Sequence, residues 1–87
     1  MVFYITPIIE GRLRRLKVEL VFRGNDMEHY EVTACNKTFT LQTNRLMFIN
    51  RGLKHRKGQW KIISGHMNNT YAMEKIIAAI EEKIENN

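Results

Sequence analysis

Cysteine and proline are almost absent from this chain. Of its 87 residues, only Cys35 is a cysteine and only Pro7 is a proline. A single cysteine forms no intramolecular disulfide, whereas small secreted domains usually carry several. The sequence therefore excludes an internally cross-linked fold and predicts a cytoplasmic protein in which Cys35 is an inert thiol.

The motifs of common catalytic and metal sites are also lacking. The chain has no glycine-rich phosphate loop and no GxSxG element. Its three histidines, His29, His55 and His66, are scattered and match no zinc-binding spacing. The apolar start, MVFYITPII, is too short to span a membrane and lacks the basic flank of a signal peptide. We expect no enzymatic activity, no cofactor, no metal and no membrane insertion.

Acidic residues are missing from one stretch, residues 51–61, which we call the basic segment. Its sequence, RGLKHRKGQWK, holds five Lys or Arg residues and no Asp or Glu. The chain as a whole has a formal net charge of +5. Cations that neutralise phosphates release condensed counterions, so such a segment favours polyanions. The expected nucleic-acid-binding residues are Arg51, Lys54, His55, Arg56, Lys57 and Lys61.

Two other interpretations of the basic segment stay open. Its charges can serve solubility alone, as in any solvated loop. They can also pair with carboxylates of a C-terminal helix, where Glu74, Glu81 and Glu85 share one helical stripe. Glutamates near a helix C-terminus are disfavoured by the helix dipole, so nearby cations would relieve them.

Trp60, inside the basic segment, also has two interpretations. An aromatic ring beside cations can stack on a base of a single strand. However, Trp60 and Ile62 alternate with Lys61 as strand residues do, and a small domain usually needs its only tryptophan in the core. We favour the core position and keep Trp60 as a possible stacking residue.

The first 64 residues show the periodicity of β-strands. Leu16, Val18, Leu20 and Phe22 alternate with mostly polar residues, which predicts one buried strand face, and only Val21 departs from the pattern. Apolar runs at 46–49 and 60–63 are read as further strands.

Three turns join these strands into hairpins. They fall at 10–11, at 24–26 and at 36–37, where glycine and asparagine suit turn geometry. The corresponding registers place apolar residues on the same face throughout. The paired residues are Phe3 with Val18, Ile5 with Leu16, Leu20 with Tyr30, Val18 with Val32, Ala34 with Phe39 and Val32 with Leu41.

The period changes after residue 69, where an apolar stripe recurs at helical spacing. It consists of Met73, Ile76, Ile77, Ile80 and Ile84. We predict a single α+β domain over residues 1–87: an antiparallel β-meander of five or six strands within 2–64 and one C-terminal α-helix, about 70–85, packed on one face. Asn69 or Thr70 is expected to cap the helix.

The predicted function follows from the charge pattern. We expect a small non-catalytic nucleic-acid-binding module that binds DNA or RNA weakly and in a salt-dependent manner through the basic segment. The alternative is a protein-interaction or homodimerisation module that uses a strand edge or the acidic helix face.

Overall fold

The computed structural model describes residues 1–35, 37–53, 58–67 and 69–85. The elements, in chain order, are β1 (Val2–Ile5), β2 (Ile8–Ile9), β3 (Arg12–Leu13), β4 (Leu16–Arg23), β5 (Glu28–Ala34), β6 (Lys37–Thr43), α1 (Arg45–Asn50), β7 (Trp60–Ser64) and α2 (Thr70–Glu85). A five-stranded antiparallel sheet has the order β1-β4-β5-β6-β7, and β2 and β3 form a small second sheet. The predicted α+β fold with a C-terminal helix is confirmed.

β1 to β4 form one long, interrupted hairpin. Pro7 lies between β1 and β2, and because it has no backbone N–H, it cannot continue the ladder. The backbone N–H of Arg14 donates to the Pro7 carbonyl at 2.9 Å, which holds the two arms together across the break. The hairpin turns at Glu10-Gly11, and Phe3 faces Val18, both as predicted.

A β-bulge near the end of β4 reverses the face of the sheet on which the following side chains lie. Leu20 faces Tyr30 as predicted, but the register then shifts, and Phe22 pairs with His29. The extra residue is Val21, the position that broke the alternation in the sequence. The bulge moves Phe22 out of the apolar face, where the alternation had placed it, and onto the opposite face of the sheet.

The predicted register of the third hairpin is wrong by two residues. Ala34 pairs with Lys37 instead of Phe39, and Cys35 adopts a left-handed φ of 55°. A shift of two residues leaves every side chain on its original face, so hydrophobic alternation does not distinguish the two registers. The turn conformation at Cys35 decides between them.

The predicted strand at 46–49 is also wrong, because these residues belong to α1. The helix ends in a Schellman motif: Gly52, with φ of 75°, donates its N–H to the Ile49 carbonyl at 3.0 Å, and Leu53 donates to Phe48 at 2.7 Å. A short apolar run has no period that separates a strand from a helix. The predicted strand at 60–63 is confirmed as β7.

α2 covers one face of the five-stranded sheet. It buries Ala72, Ile76 and Ile80, and the side-chain oxygen of Asn69 accepts the Ala72 N–H at 3.1 Å as the predicted cap. In the described part of the chain, no helix is long and apolar enough to span a membrane. The buried cluster beneath and within α2 comprises Phe3, Ile5, Leu16, Val18, Tyr30, Val32, Phe39, Leu41, Ile76 and Ile80.

Candidate nucleic-acid interface

The sheet face opposite α2, which we call the open face, has no buried side chain among its described residues. Near one end of this face, four side chains on neighbouring strands form a line, because Phe22 faces His29, His29 faces Gln42, and Gln42 faces Lys61. We call these four residues the cross-strand row. Neighbouring strands are about 4.8 Å apart, so the three steps of the row span about 14 Å.

The first two members of the row form an aromatic surface. The rings of Phe22 and His29 have centroids 4.8 Å apart and are tilted by 36°. The His29 Nε2 and the Gln42 Oε1 are 3.1 Å apart, which fixes the orientation of the imidazole. Phe22 remains 49% exposed. Across the four strands, the row therefore presents, in this order, an accessible aromatic ring, an imidazole, an amide and an ammonium group.

A cleft of about 220 Å³ lies at the end of the row. Its lining contains three carboxamides, one ammonium group and the apolar side chains of a methionine and a tryptophan. The lining residues are Met27, Gln42, Asn44, Gln59, Trp60 and Lys61. Pockets for drug-sized ligands measure about 300–1,000 Å³, so this cleft suits a smaller planar or polar group.

The basic segment begins and ends at the same end of the sheet as the cleft. Gly58 packs so tightly against Arg45 that an added Cβ would lie 2.7 Å from the Arg45 Cα. The next residue, Gln59, donates its N–H to the Asn44 side-chain oxygen at 2.7 Å. On the other side, Leu53 is fixed to α1 by its backbone hydrogen bond. Both flanks of residues 54–57 are thus anchored beside α1.

α1 also reaches the Phe22 end of the row. The side-chain amide of Asn50, the last residue of α1, donates to the Asn25 carbonyl at 2.7 Å. Asn25 lies in the turn that follows Phe22 along the chain. Arg51, directly after α1, is exposed. The start of the basic segment is therefore near one end of the cross-strand row, and Lys61 is the other end.

A buried ion pair holds α1 in this position. Glu28, at the start of β5, is 1% exposed, and its carboxylate faces the guanidinium of Arg45, whose Nη2 donates to Oε2 at 3.2 Å. Arg23 approaches the same carboxylate, with its Nε 3.6 Å from Oε2. Removing one partner of such a pair leaves an uncompensated buried charge. The pair therefore joins the first residue of α1 to the sheet.

Tyr30 completes this buried group. Its hydroxyl is buried without a well-aligned hydrogen bond to any described residue. Burial raises the pKa of Tyr30 above its ordinary value; the nearby Arg45 opposes this, while Glu28 adds to it. Burial would lower the pKa of Arg45, but contacts with Tyr30 and Glu28 more than offset this, so its pKa is raised. The guanidinium of Arg45 therefore stays charged beside Glu28.

The sequence-predicted site residues are only partly within the described chain. Arg51 and Lys61 are described, and both are exposed at opposite ends of the basic segment. Lys54, His55, Arg56 and Lys57 lie outside the described residues. Their contact with a nucleic acid stays a prediction, as does that of Arg51 and Lys61.

Trp60 is half-buried and contacts the core. Its ring lies 5.7 Å from that of Tyr30, and its Nε1 donates to a carboxylate oxygen of Glu81 at 3.4 Å. Among the described residues, no Lys or Arg side chain lies within 4.0 Å of the carboxylates of Glu74, Glu81 or Glu85. In the described part, the contact that reaches Glu81 is therefore an indole N–H rather than a cation.

Two acidic residues limit the extent of the interface on the open face. Glu19 and Glu31 face each other across β4 and β5, next to the cross-strand row. Two carboxylates in this position repel phosphate, whereas Lys61 attracts it. On the open face, the electrostatic potential is therefore more negative over this pair of glutamates than near Lys61.

Sequence reasoning missed most of this interface. The alternation in β4 predicts Phe22 on the buried face, and the sequence alone does not connect His29 with Gln42, because a pairing register is needed to bring them together. One signal was present: three consecutive apolar residues, 20–22, at the end of an alternating strand indicate a change of facing.

The candidate interface consists of groups suited to noncovalent binding. It offers amide donors and acceptors, an imidazole, an ammonium group and an exposed ring. Among the residues that the structure describes, no group of three or more His, Cys, Asp or Glu side chains is placed to hold a metal ion. Comparisons of the chain with protein-family models, with curated proteins and with solved structures find no match.

Proposed function

We propose that this protein is a non-catalytic nucleic-acid-binding module whose interface combines the basic segment with the cross-strand row. The observation that carries the proposal is that the described residues flanking 54–57 lie at the same end of the sheet as the cross-strand row. Arg51 and Lys61 are exposed, Leu53 is anchored to α1, and Gly58 packs against Arg45 at the start of that helix. Cations near an uncovered sheet face suit a phosphate backbone that crosses it.

The binding is mainly ionic and does not depend strongly on sequence. The basic segment has five cations, and Lys61 also belongs to the row. Contacts to phosphate position a nucleic acid without reading its bases, so these cations supply affinity. Such affinity falls steeply with salt, with a log–log slope of about −0.7 per neutralised phosphate on single strands and about −0.9 on duplex.

The test is a titration of fluorescently labelled oligonucleotides, followed by anisotropy at low and at physiological salt. We expect binding at low salt that weakens as salt rises. Reversing Lys54, Arg56 and Lys57 together to Glu should abolish binding, and Lys61→Glu alone should reduce the salt slope by about 1.

Lys83→Glu is the matched control, because Lys83 is an exposed cation on α2, away from the open face. It should bind like the wild type. We expect all variants to keep the wild-type free energy of unfolding within about 0.5 kcal/mol, as is typical of charge reversals at surface positions. Failure of the wild type to bind any oligonucleotide at low salt contradicts the proposal, as does equal weakening by Lys83→Glu.

A homodimer is the second candidate, supported by the two edges of the sheet. In the described part of the chain, β1 and β7 each have a neighbour on one side only, and they carry Val2 and Ile63, which are 49% and 42% exposed. An open edge strand with exposed apolar residues favours pairing with a second copy. Sedimentation velocity distinguishes the candidates: a dimer that Ile63→Lys dissociates supports this one.

A further inference from the structure

We propose that the cross-strand row is a single-strand-specific site that stacks a nucleobase on Phe22. The inference rests on the proposed function and goes beyond it, because it assigns a specific contact and excludes duplex from that contact. It concerns Phe22, His29 and Gln42, none of which belongs to the basic segment. Its ligand is an unpaired stretch of nucleic acid.

The first argument is the position of Phe22. Alternation in β4 leads toward a buried Phe22, yet the bulge at Val21 reverses its direction and leaves the ring 49% exposed. Burying a phenylalanine contributes about 1.5–3 kcal/mol relative to leaving it exposed, so this placement forgoes core stability. Bulges commonly re-aim a side chain next to a functional site.

The second argument is that the ring is held in place without being covered. On one side it packs over Gly24, where an added Cβ would lie 3.3 Å from the ring, and on another it meets the tilted imidazole of His29. His29 is in turn fixed by Gln42. A preorganised aromatic ring loses little conformational entropy when a base stacks on it.

The third argument is the dimension of the site. The row spans about 14 Å across the strands. Stacked nucleotides advance by about 3.4 Å each, so the row is as long as about four of them. The strand would run from Phe22 toward Lys61, where the cleft of about 220 Å³ offers the amides of Gln42 and Gln59 to the edge of one base.

Duplex does not satisfy these contacts. In a duplex the faces of the bases are stacked on one another, and only backbone and groove edges remain accessible. A ring on a sheet face therefore stacks only on a base that is unpaired. Stacking of this kind is tolerant of base identity, because every base has a π-face.

The experiment compares single strands with duplex at matched ionic conditions. Labelled oligothymidine and oligouridine strands, and a DNA duplex of the same length, are titrated with the 87-residue chain at low salt. We expect the Phe22→Ala variant to lose about 5- to 160-fold in affinity for both single strands and to keep its affinity for duplex. Phe22→Trp should retain single-strand binding, and Phe22→Leu should not.

The matched control is Tyr71→Ala, which removes an aromatic side chain of similar exposure, 57%, from α2. It should bind both kinds of nucleic acid like the wild type. A far-UV circular dichroism melt of each variant verifies folding, and Phe22→Leu retains apolar packing over Gly24 if the alanine variant is unstable.

The outcomes separate this inference from the proposed function. If Phe22→Ala and Phe22→Leu bind single strands as the wild type does, or weaken duplex binding equally, the stacking site is wrong while the nucleic-acid module stands. If the wild type binds no oligonucleotide at low salt, both proposals are wrong.

Discussion

The two faces of the sheet are built by the same strands, but they differ in how strongly folding constrains their residues. β5 shows the contrast most clearly: Tyr30 and Val32 are buried beneath α2, while His29 and Glu31, adjacent in sequence, are only partly buried on the open face. Burial contributes about 25 cal/mol for each Å² of apolar surface, so folding constrains the covered face strongly. The open face contributes less to stability and is therefore free to carry binding groups.

This difference shows on which face an unexpected apolar or charged residue indicates function. On the covered face, an apolar residue is explained by the core and says nothing about function. On the open face, Phe22 has no such explanation, because it sits among polar neighbours through a bulge. The exception on the other face is Glu28, a carboxylate on the covered side that is buried against Arg45. Each exception lies at the end of the sheet that bears α1.

Replacing a phenylalanine on each face tests the comparison directly and gives the largest expected effect. Phe39 is 3% exposed in the core, whereas Phe22 is 49% exposed on the open face. We expect Phe39→Ala to cost about 3–5 kcal/mol of unfolding free energy and Phe22→Ala to cost about 1 kcal/mol or less. Urea denaturation measures both. Equal costs would show that the open face is also part of the core.

Arg45→Ala tests whether the buried ion pair supports the covered side of the sheet. The variant leaves the Glu28 carboxylate buried with only Arg23 nearby, so we expect a loss of about 3 kcal/mol, at the low end for a broken buried pair. Circular dichroism during urea unfolding gives the value.

Two controls accompany the Arg45 variant. Glu28→Leu combined with Arg45→Met removes both charges and should recover most of the lost stability. Arg23→Ala should cost about 1 kcal/mol or less, because that side chain is mostly exposed. A double variant as unstable as Arg45→Ala would mean that the loss arises from packing and not from an unpaired charge.

Local sequence signals were sufficient for the elements and faces of most of the fold. The apolar stripe and Asn69 predicted α2 and its start, and two turns with recognisable residues predicted two registers. Each of these features depends on residues close in sequence, or on alternation alone. Alternation has a period of two, which is why the third register was missed by two residues.

The parts that were missed depend on contacts between distant residues. The sequence predicts a strand in place of α1 because the run 46–49 is apolar and short, although Gly52 carries the signal of a helix C-terminus. The Glu28–Arg45 pair joins residues 17 positions apart and has no local pattern. The cross-strand row likewise requires three correct registers at once. The basic segment, in contrast, was visible in sequence because charge needs no register.

Alkaline pH should destabilise the covered face through ionisation of Tyr30. Burial raises the pKa of this hydroxyl in the folded protein, so the folded state keeps its proton at a pH at which the unfolded chain releases it. Stability is then fully present below about pH 10, the ordinary value for tyrosine, and falls as the pH rises above it. The contribution of one such group is at most about 1.4 kcal/mol per pH unit.

Tyr30→Phe removes this titrating group while keeping the ring. Unfolding free energies from urea titrations between neutral pH and about pH 11 should fall less steeply for the variant than for the wild type. The two proteins share every other titrating residue, so the difference in slope isolates Tyr30. Identical slopes would contradict ionisation of Tyr30 as a cause of alkaline unfolding.

Glu31→Gln gives the smallest expected effect and tests the open face without touching the row. The substitution removes the like-charge pair with Glu19, so stability should change by no more than about 0.5 kcal/mol. At a separation of about 7 Å in water, one unit charge contributes about 0.6 kcal/mol, so affinity for oligonucleotide should rise about threefold at low salt. At 1 M salt, where screening acts within about 3 Å, the gain should vanish.

Glu82→Gln is the control, because it removes the same charge from an exposed position on α2. A difference between the two variants at low salt locates the nucleic acid on the open face near β5, because long-range charge alone would affect both alike. An equal rise in both would show that only the net charge of the chain matters. The open face would then have no special part in binding, and its contrast with the covered face would be one of stability alone.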